Sequence, residues 1–309
     1  MRIAFLGTPE FANPSLRACI EYGDVVSVIT QPDRRRGRGK KLLPTQVKKE
    51  ALKHKLKVYQ PKNIKHNDTI EYLKKLNLDL IVVVAYGQIL SKEILEIPKH
   101  GCVNVHASLL PKLRGAAPIN WAIVRGYEVS GVTTMQMALG LDTGDMLDQV
   151  SVEIDHQMTA GELHDLLKVK GADLLKKTLK TIEKGTSVPT QQKDDLSTYA
   201  PMIDKKMARM NWKDSAENLH NLVRGFNPWP VAYTIVDKSK IKIYETQVIE
   251  NKSKHLPGEI LSVSEEGILV KAKENCLLLT SIQLPNKKRM SVKSFLNGNA
   301  IEVGTILGG

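Results

Sequence analysis

The sequence predicts an α/β fold with a doubly wound, mostly parallel sheet, followed by a small all-β domain. Three observations carry this. Short apolar runs of strand length alternate with helical patterns over the first half of the chain. The run Asp79 to Ala85 is almost unbroken in apolar residues, the pattern of a strand covered on both faces of a parallel sheet. Beyond residue 230, short β-prone segments follow one another, separated by turn residues.

Taken in order, Ile3 to Leu6 predicts a buried strand, Pro9 to Tyr22 a helix after a Gly-Thr-Pro turn, and Val25 to Thr30 a second strand. These open a βαβ unit. Asp79 to Ala85, Cys102 to His106 and Val132 to Ala138 supply further strands, with helices over Asp68 to Leu76 and Ala117 to Arg125, so a Rossmann-like sheet is expected. The first turn, Gly7-Thr8-Pro9-Glu10-Phe11, lacks Gly-x-Gly-x-x-Gly, which disfavours a nicotinamide cofactor. Thr159 to Lys184 carries apolar residues at helical spacing and Gly185 ends the pattern. His164 on that helix reads as structural or solvated.

Residues 186 to 206 are polar and contain Pro189 and Pro201, which reads as a linker between a catalytic domain, 1 to 185, and a second domain, 207 to 309. In that second domain a short helix near Ala216 to Arg224 precedes strands at Val231 to Val236, Ile241 to Ile249, Gly258 to Val263, Gly267 to Ala272 and Cys276 to Gln283. An OB-like barrel suits this spacing, as do other small β folds.

The segment Asn104-Val105-His106-Ala107-Ser108-Leu109-Leu110-Pro111, with Arg114-Gly115 and then Leu141-Asp142-Thr143-Gly144, is where chemistry concentrates. Asn104 and His106 are two apart, so an extended strand presents both on one face. At the carboxyl end of such a strand they sit where open α/β sheets bind ligands. Acyl transfer needs an oxyanion donor, a group that manages a proton and a partner that orients the imidazole; Asn104, His106 and Asp142 match these roles. Each alone suits a strand end or a turn, but the three together point to a site. Gly-x-Ser-x-Gly is absent, so direct transfer to an amine is expected, without a covalent Ser intermediate and without a metal.

The chain has 45 Lys and Arg against 33 Asp and Glu, a net +12 that suits a polyanionic partner. The charge is densest in Asp33-Arg34-Arg35-Arg36-Gly37-Arg38-Gly39-Lys40-Lys41, a loop following a strand end and placed to reach the same carboxyl edge. It lacks the full P-loop pattern, which disfavours nucleotide hydrolysis. Lys287-Lys288-Arg289 is a second cluster. The three cysteines, Cys19, Cys102 and Cys276, are widely spaced and suggest neither a disulfide framework nor a zinc site, in keeping with a reducing cytoplasm. The first apolar run is too short for a signal peptide and no stretch is long enough to cross a bilayer, so a soluble protein with no membrane partner is expected.

The run Asn104 to Ile119, with Met135-Gln136-Met137, Leu141 to Asp145, Asn227-Pro228-Trp229-Pro230, Phe5 to Phe11, Gln31-Pro32-Asp33-Arg34 and Lys287 to Met290, resembles the methionyl-tRNA formyltransferase family over essentially the whole chain. The central segment is shared among folate-dependent formyltransferases; the amino-terminal loop and Asn-Pro-Trp-Pro narrow it. The resemblance implies an OB-like second domain, N10-formyltetrahydrofolate as donor, and initiator methionyl-tRNA as acceptor, with a monomer expected. It implies donor binding near Tyr86, Gly87, Gln88, Ile89 and Leu90, by Ser108, Leu109, Leu110 and Pro111, and by Leu139, Gly140 and Leu141. It implies tRNA contacts from Arg34, Arg35, Arg36, Arg38, Lys40 and Lys41, and from Lys287, Lys288 and Arg289, with Arg38 matching the family's loop arginine. Arg35 and Arg36 depart from the frequent Pro-containing loop, and Ser91 replaces a proline common in the family. The expected reaction is attack of the methionyl α-amine on the formyl carbon, with Asn104 and His106 stabilising the developing oxyanion and Asp142 orienting His106 and helping remove the amine proton. A sugar-nucleotide N-formyltransferase would use the same three residues, a formyltetrahydrofolate hydrolase would use water, and a non-enzymatic RNA-binding protein would not need them.

Overall fold

The computed structural model describes residues 1–36 and 41–308. Backbone contacts divide the chain into two compact units. One comprises Met1–Pro118, Ser130–Val152 and His164–Ala200; the other comprises Ile119–Val129, Glu153–Leu163 and Pro201–Gly309.

Among the described residues the first unit is organised by a sheet whose strands lie in the order Met146–Glu153, Val129–Gln136, Cys102–His106, Leu80–Val84, Arg2–Gly7, Asp24–Ile29, Val58–Tyr59. From Cys102–His106 to Val58–Tyr59 every pairing is parallel, and Cys102–His106 pairs antiparallel with Val129–Gln136. Leu80–Val84 is buried throughout, as the unbroken apolar run requires of a strand inside a covered parallel sheet. The expected strands appear with their ends moved by a few residues at most. Helices stand at Asn13–Tyr22 and Asn67–Lys74; Pro118–Val124 is also helical, and beyond Pro118 it belongs to the second unit. Gln46–Lys53 and the edge strand Met146–Glu153 were not expected. The helix is started by Thr45, whose hydroxyl accepts from the Lys48 amide at 3.1 Å. Only Val152 of the strand is buried, so its sequence carries little apolar signal.

From Arg2–Gly7 the chain winds outward through Asp24–Ile29 and Val58–Tyr59, then crosses to the other side through Leu80–Val84 and Cys102–His106. The winding reverses between Arg2–Gly7 and Leu80–Val84, which sets a crevice at the carboxyl ends of these parallel strands. The two loops leaving that point are tied: the Thr8 hydroxyl donates to the Tyr86 carbonyl at 2.9 Å.

The second unit holds an antiparallel sheet in the order Tyr233–Val236, Ser239–Ile249, Cys276–Gln283, Gly267–Lys271, Ile260–Ser264, with Met290–Ser291 added to Cys276–Gln283. One face buries Ile243, Ile260, Val270, Leu277 and Leu279 against Leu219 and Val223 of the helix Ala216–Gly225 and against Phe295. The last residues bridge the sheet's two edges. Ile260 exchanges backbone bonds with Gly304 and Thr305, and the Gly308 amide donates to Ile235. Edge groups that would otherwise stand open are thereby paired, as an OB-like, partly closed barrel requires.

The same helix pins a distant loop through a buried histidine. His220 Nε2–H donates to the His156 carbonyl at 2.9 Å, so in the neutral ring Nδ1 accepts from the Thr246 hydroxyl at 2.8 Å. Burial, with the Arg224 cation adding to it, lowers the His220 pKa below its ordinary 6.5, against opposing contributions from the His156 carbonyl and Glu217. The unfolded chain therefore binds the proton more readily, and stability should fall as pH drops below about 6.5. Urea melts of the full chain between pH 7 and pH 5 should show this slope, at most about 1.4 kcal/mol per pH unit for one proton. His220→Gln, which keeps a donor for His156, should flatten it. An identical slope in both proteins would remove His220 as its source.

Candidate active site

Asn104 and His106 leave the same face of the Cys102–His106 strand, which is held between Leu80–Val84 and Val129–Gln136. Among the described residues the Asn104 amide makes no hydrogen bond, which leaves its donors for a ligand. His106 is only 6 % exposed. Its Nε2 lies 3.0 Å from the Leu113 carbonyl, to which it can only donate, and its Nδ1 faces Asp142 Oδ2 at 3.7 Å. Both ring nitrogens thus face oxygen acceptors. The same carboxylate oxygen is fixed by the Gly115 amide, which it accepts at 2.9 Å.

Backbone geometry explains the glycines beside these groups. Gly115 has φ +117°, and a Cβ there would meet the Ala200 carbonyl at 2.7 Å. A Cβ on Gly144 would meet the Gln136 carbonyl at 1.8 Å, so the turn that carries Asp142 closes only over a bare backbone. Asp142 itself has φ +52°, a left-handed conformation that Asp tolerates better than most residues.

The loop after His106 is built around Thr133. Its hydroxyl donates to the Ser108 carbonyl at 2.7 Å and accepts from the Leu110 amide and the Gln149 side chain, which also donates to the Leu110 carbonyl. Ser108 is fully buried and its hydroxyl donates to the Lys112 carbonyl, so it stabilises the turn and presents no nucleophile to solvent. Leu110–Pro111 is cis and Leu110 is buried.

The loop residues expected to meet the donor divide by side-chain position. Ile89, Leu139 and Leu141 expose 66 %, 65 % and 53 % of their surface, apolar groups that suit a flat ligand. Tyr86 and Leu90 are buried in the apolar core, and Gln88 hydrogen-bonds Ile64 and Lys62, so these three shape the loop. Gly87 has φ +86°, and a Cβ there would meet nothing within 4 Å.

Comparison with known proteins places this geometry in a family. Residues 1–179 match the formyl transferase model and residues 202–300 the formyl transferase C-terminal domain model. The chain is 52 % identical over 308 residues to the methionyl-tRNA formyltransferase of Clostridium beijerinckii, covering 99 % of this chain and 100 % of that protein. It is 53 % identical to that of Clostridium tetani, covering 99 % of each. The chain belongs to the methionyl-tRNA formyltransferase family. Among solved structures, the N-formyltransferase from Helicobacter canadensis in complex with folinic acid and dTDP-3-aminofucose superposes with a TM-score of 0.66 at 21 % identity, covering 93 % of this chain and 99 % of that one, which shows a shared fold.

Away from these residues, the basic loop begins as a ribbon in which Arg34–Arg36 pairs antiparallel with Lys41–Leu43. Arg38 and Lys40 lie outside the described residues. The ribbon's base is anchored at Asp33, which accepts from Gln60 at 2.7 Å and pairs with Lys48 at 2.6 Å; these bonds hold its carboxyl below the ordinary range. Arg34, Arg35 and Lys41 are exposed. In the second unit Lys287 and Lys288 are exposed, whereas Arg289 pairs with Glu245, donates to Ser281 and lies over the Tyr244 ring. Among the described residues no helix is long and apolar enough to cross a membrane, and no group of His, Cys, Asp and Glu is arranged to hold a metal.

Sequence reasoning missed the residues behind the site. Thr133 and Gln149 brace the Ser108–Leu110 turn. Gln192, Thr198 and Ala200, within a segment expected to be a linker, contact the loops that carry Leu113 to Ala117 and Asp142. Their partners lie tens of residues away, and nothing in their local pattern marks them.

Proposed function

We propose that this protein transfers the formyl group of N10-formyltetrahydrofolate to the α-amine of methionyl-tRNA, giving formylmethionyl-tRNA for translation initiation, and that it works as a cytoplasmic monomer. The observation that carries the reading is the meeting of Asn104, His106 and Asp142 at the crevice, in a chain half identical to methionyl-tRNA formyltransferases along its whole length. Ile89, Leu139 and Leu141 flank the donor, and the turn Ser108 to Pro111 and Gly140 bring backbone against it. As the amine attacks, negative charge grows on the formyl oxygen, where the free Asn104 amide donates; collapse of the tetrahedral intermediate breaks the formyl C–N10 bond, and tetrahydrofolate leaves with N10 taking up the proton lost by the amine. His106 exchanges a resting acceptor for that oxygen, and Asp142 steadies the ring and helps take the amine proton.

The exposed ribbon cations and those of residues 207–309, a tRNA-binding domain in this reading, meet the acceptor's phosphates. Replacing Arg34 and Lys41 together by Ala should weaken use of methionyl-tRNA and lower the log–log salt slope by roughly 0.7 to 0.9 per lost phosphate contact. Tetrahydrofolate binding should be unchanged. The check is a salt series for both proteins beside formylation of a small amine without phosphates. Equal loss on both acceptors would mean that the ribbon builds the active site and does not read RNA, which favours a sugar-nucleotide acceptor.

A further inference from the structure

Gln192 is 6 % exposed, and both ends of its amide are used. Its Nε2 donates to the carbonyls of Asp142 at 2.8 Å and Gly144 at 2.7 Å, while its Oε1 accepts from Arg114 Nε at 3.0 Å and from the second guanidinium nitrogen at 2.8 Å. Arg114 also pairs with the exposed Asp194. One side chain therefore joins the two loops whose junction is the Gly115 amide on the Asp142 carboxylate. The segment continues the same brace. Thr198 accepts the Leu113 amide on its hydroxyl and the Arg114 amide on its carbonyl, and the Ala200 carbonyl accepts the Ala116 amide. Leu113 is in turn the residue whose carbonyl takes His106 Nε2.

We infer that Gln192 is a positioning residue for formyl transfer: it sets the Asp142 loop against His106 from behind, although it lies between the two family-matched stretches. The inference rests on the proposed roles of Asp142 and His106. Asp142 sits in a left-handed conformation with few other constraints on its backbone carbonyl, so loss of the amide donors frees the turn to drift. A shift of about 1 Å in a positioned group can cost up to 100-fold in rate.

The variant that isolates this is Gln192→Glu. It keeps the size and the acceptor for Arg114 but turns a carboxylate oxygen towards two carbonyl oxygens. Gln192→Ala serves as a second variant, and each is assayed where thermal melts show it folded. Single-turnover formylation of methionyl-tRNA should fall about tenfold or more in either variant, with KM values and tetrahydrofolate affinity within about twofold of the parent. The deciding readout is the double-mutant cycle with Asp142→Asn. Because Gln192 acts through Asp142, its replacement should add less than about twofold to the loss already present in Asp142→Asn. An equal loss in both backgrounds, or an unchanged rate with Asp142 intact, overturns the inference while leaving the proposed function standing. A normal rate in Asp142→Asn alone overturns the underlying assignment, and the inference falls with it.

Discussion

Asp142→Asn and His106→Ala should each slow the chemical step by about two orders of magnitude or more, with substrate affinity much less affected. His106 is buried on a rigid strand with one nitrogen on the Leu113 carbonyl and the other facing Asp142 at 3.7 Å. Without the imidazole, the formyl oxygen loses one of its two proposed donors and Asp142 loses the ring it steadies. With Asn at 142 an uncharged amide replaces the carboxylate that faces Nδ1, and it cannot take up the amine proton. Folding should tolerate the second change better, since an amide oxygen can still accept the Gly115 amide. Rapid-quench measurement with enzyme in excess over methionyl-tRNA separates the chemical step from product release. Near-normal rates in both variants would show that the reacting groups lie elsewhere.

Asn104→Ala should cost on the order of 3 kcal/mol of transition-state stabilisation, through loss of one oxyanion donor. The prediction is sharp because the amide has no hydrogen-bonding partner among the described residues, so its removal orphans nothing in the folded protein. The melting temperature should hardly move while the single-turnover rate falls. The reverse outcome, a destabilised protein whose folded fraction turns over normally, would make Asn104 a structural residue of the strand end.

The sequence made the strand that carries Asn104 and His106 legible because its signal is local. Cys102 to His106 is apolar enough to be recognised as a strand, and the i, i+2 spacing by itself puts Asn104 and His106 on one face. Their meeting with Asp142 depends on the antiparallel return of Val129–Gln136 beside that strand, which no local pattern encodes; it was expected only from the chemistry of the three residue types. The edge strand Met146–Glu153 was invisible because only Val152 of it is buried and its residues show no continuous apolar run. Gln192 was hidden for a different reason. A polar residue in a Pro-containing polar stretch looks like linker, and its burial follows only from the carbonyls and guanidinium that the fold brings to it. The small barrel was readable from turn spacing, yet its closure by the final residues depends on backbone bonds, which leave no mark on side-chain pattern.

The most direct test is single-turnover formyl transfer by the unaltered protein from N10-formyltetrahydrofolate to three acceptors in parallel: methionyl-tRNA, a dTDP-amino sugar and water. The account predicts rapid transfer to methionyl-tRNA, lost in Asp142→Asn, with the sugar nucleotide and water slower by about 100-fold or more, because only the tRNA brings a run of backbone phosphates to the basic ribbon. Faster transfer to the sugar nucleotide or to water, or no transfer to any of the three, would contradict it.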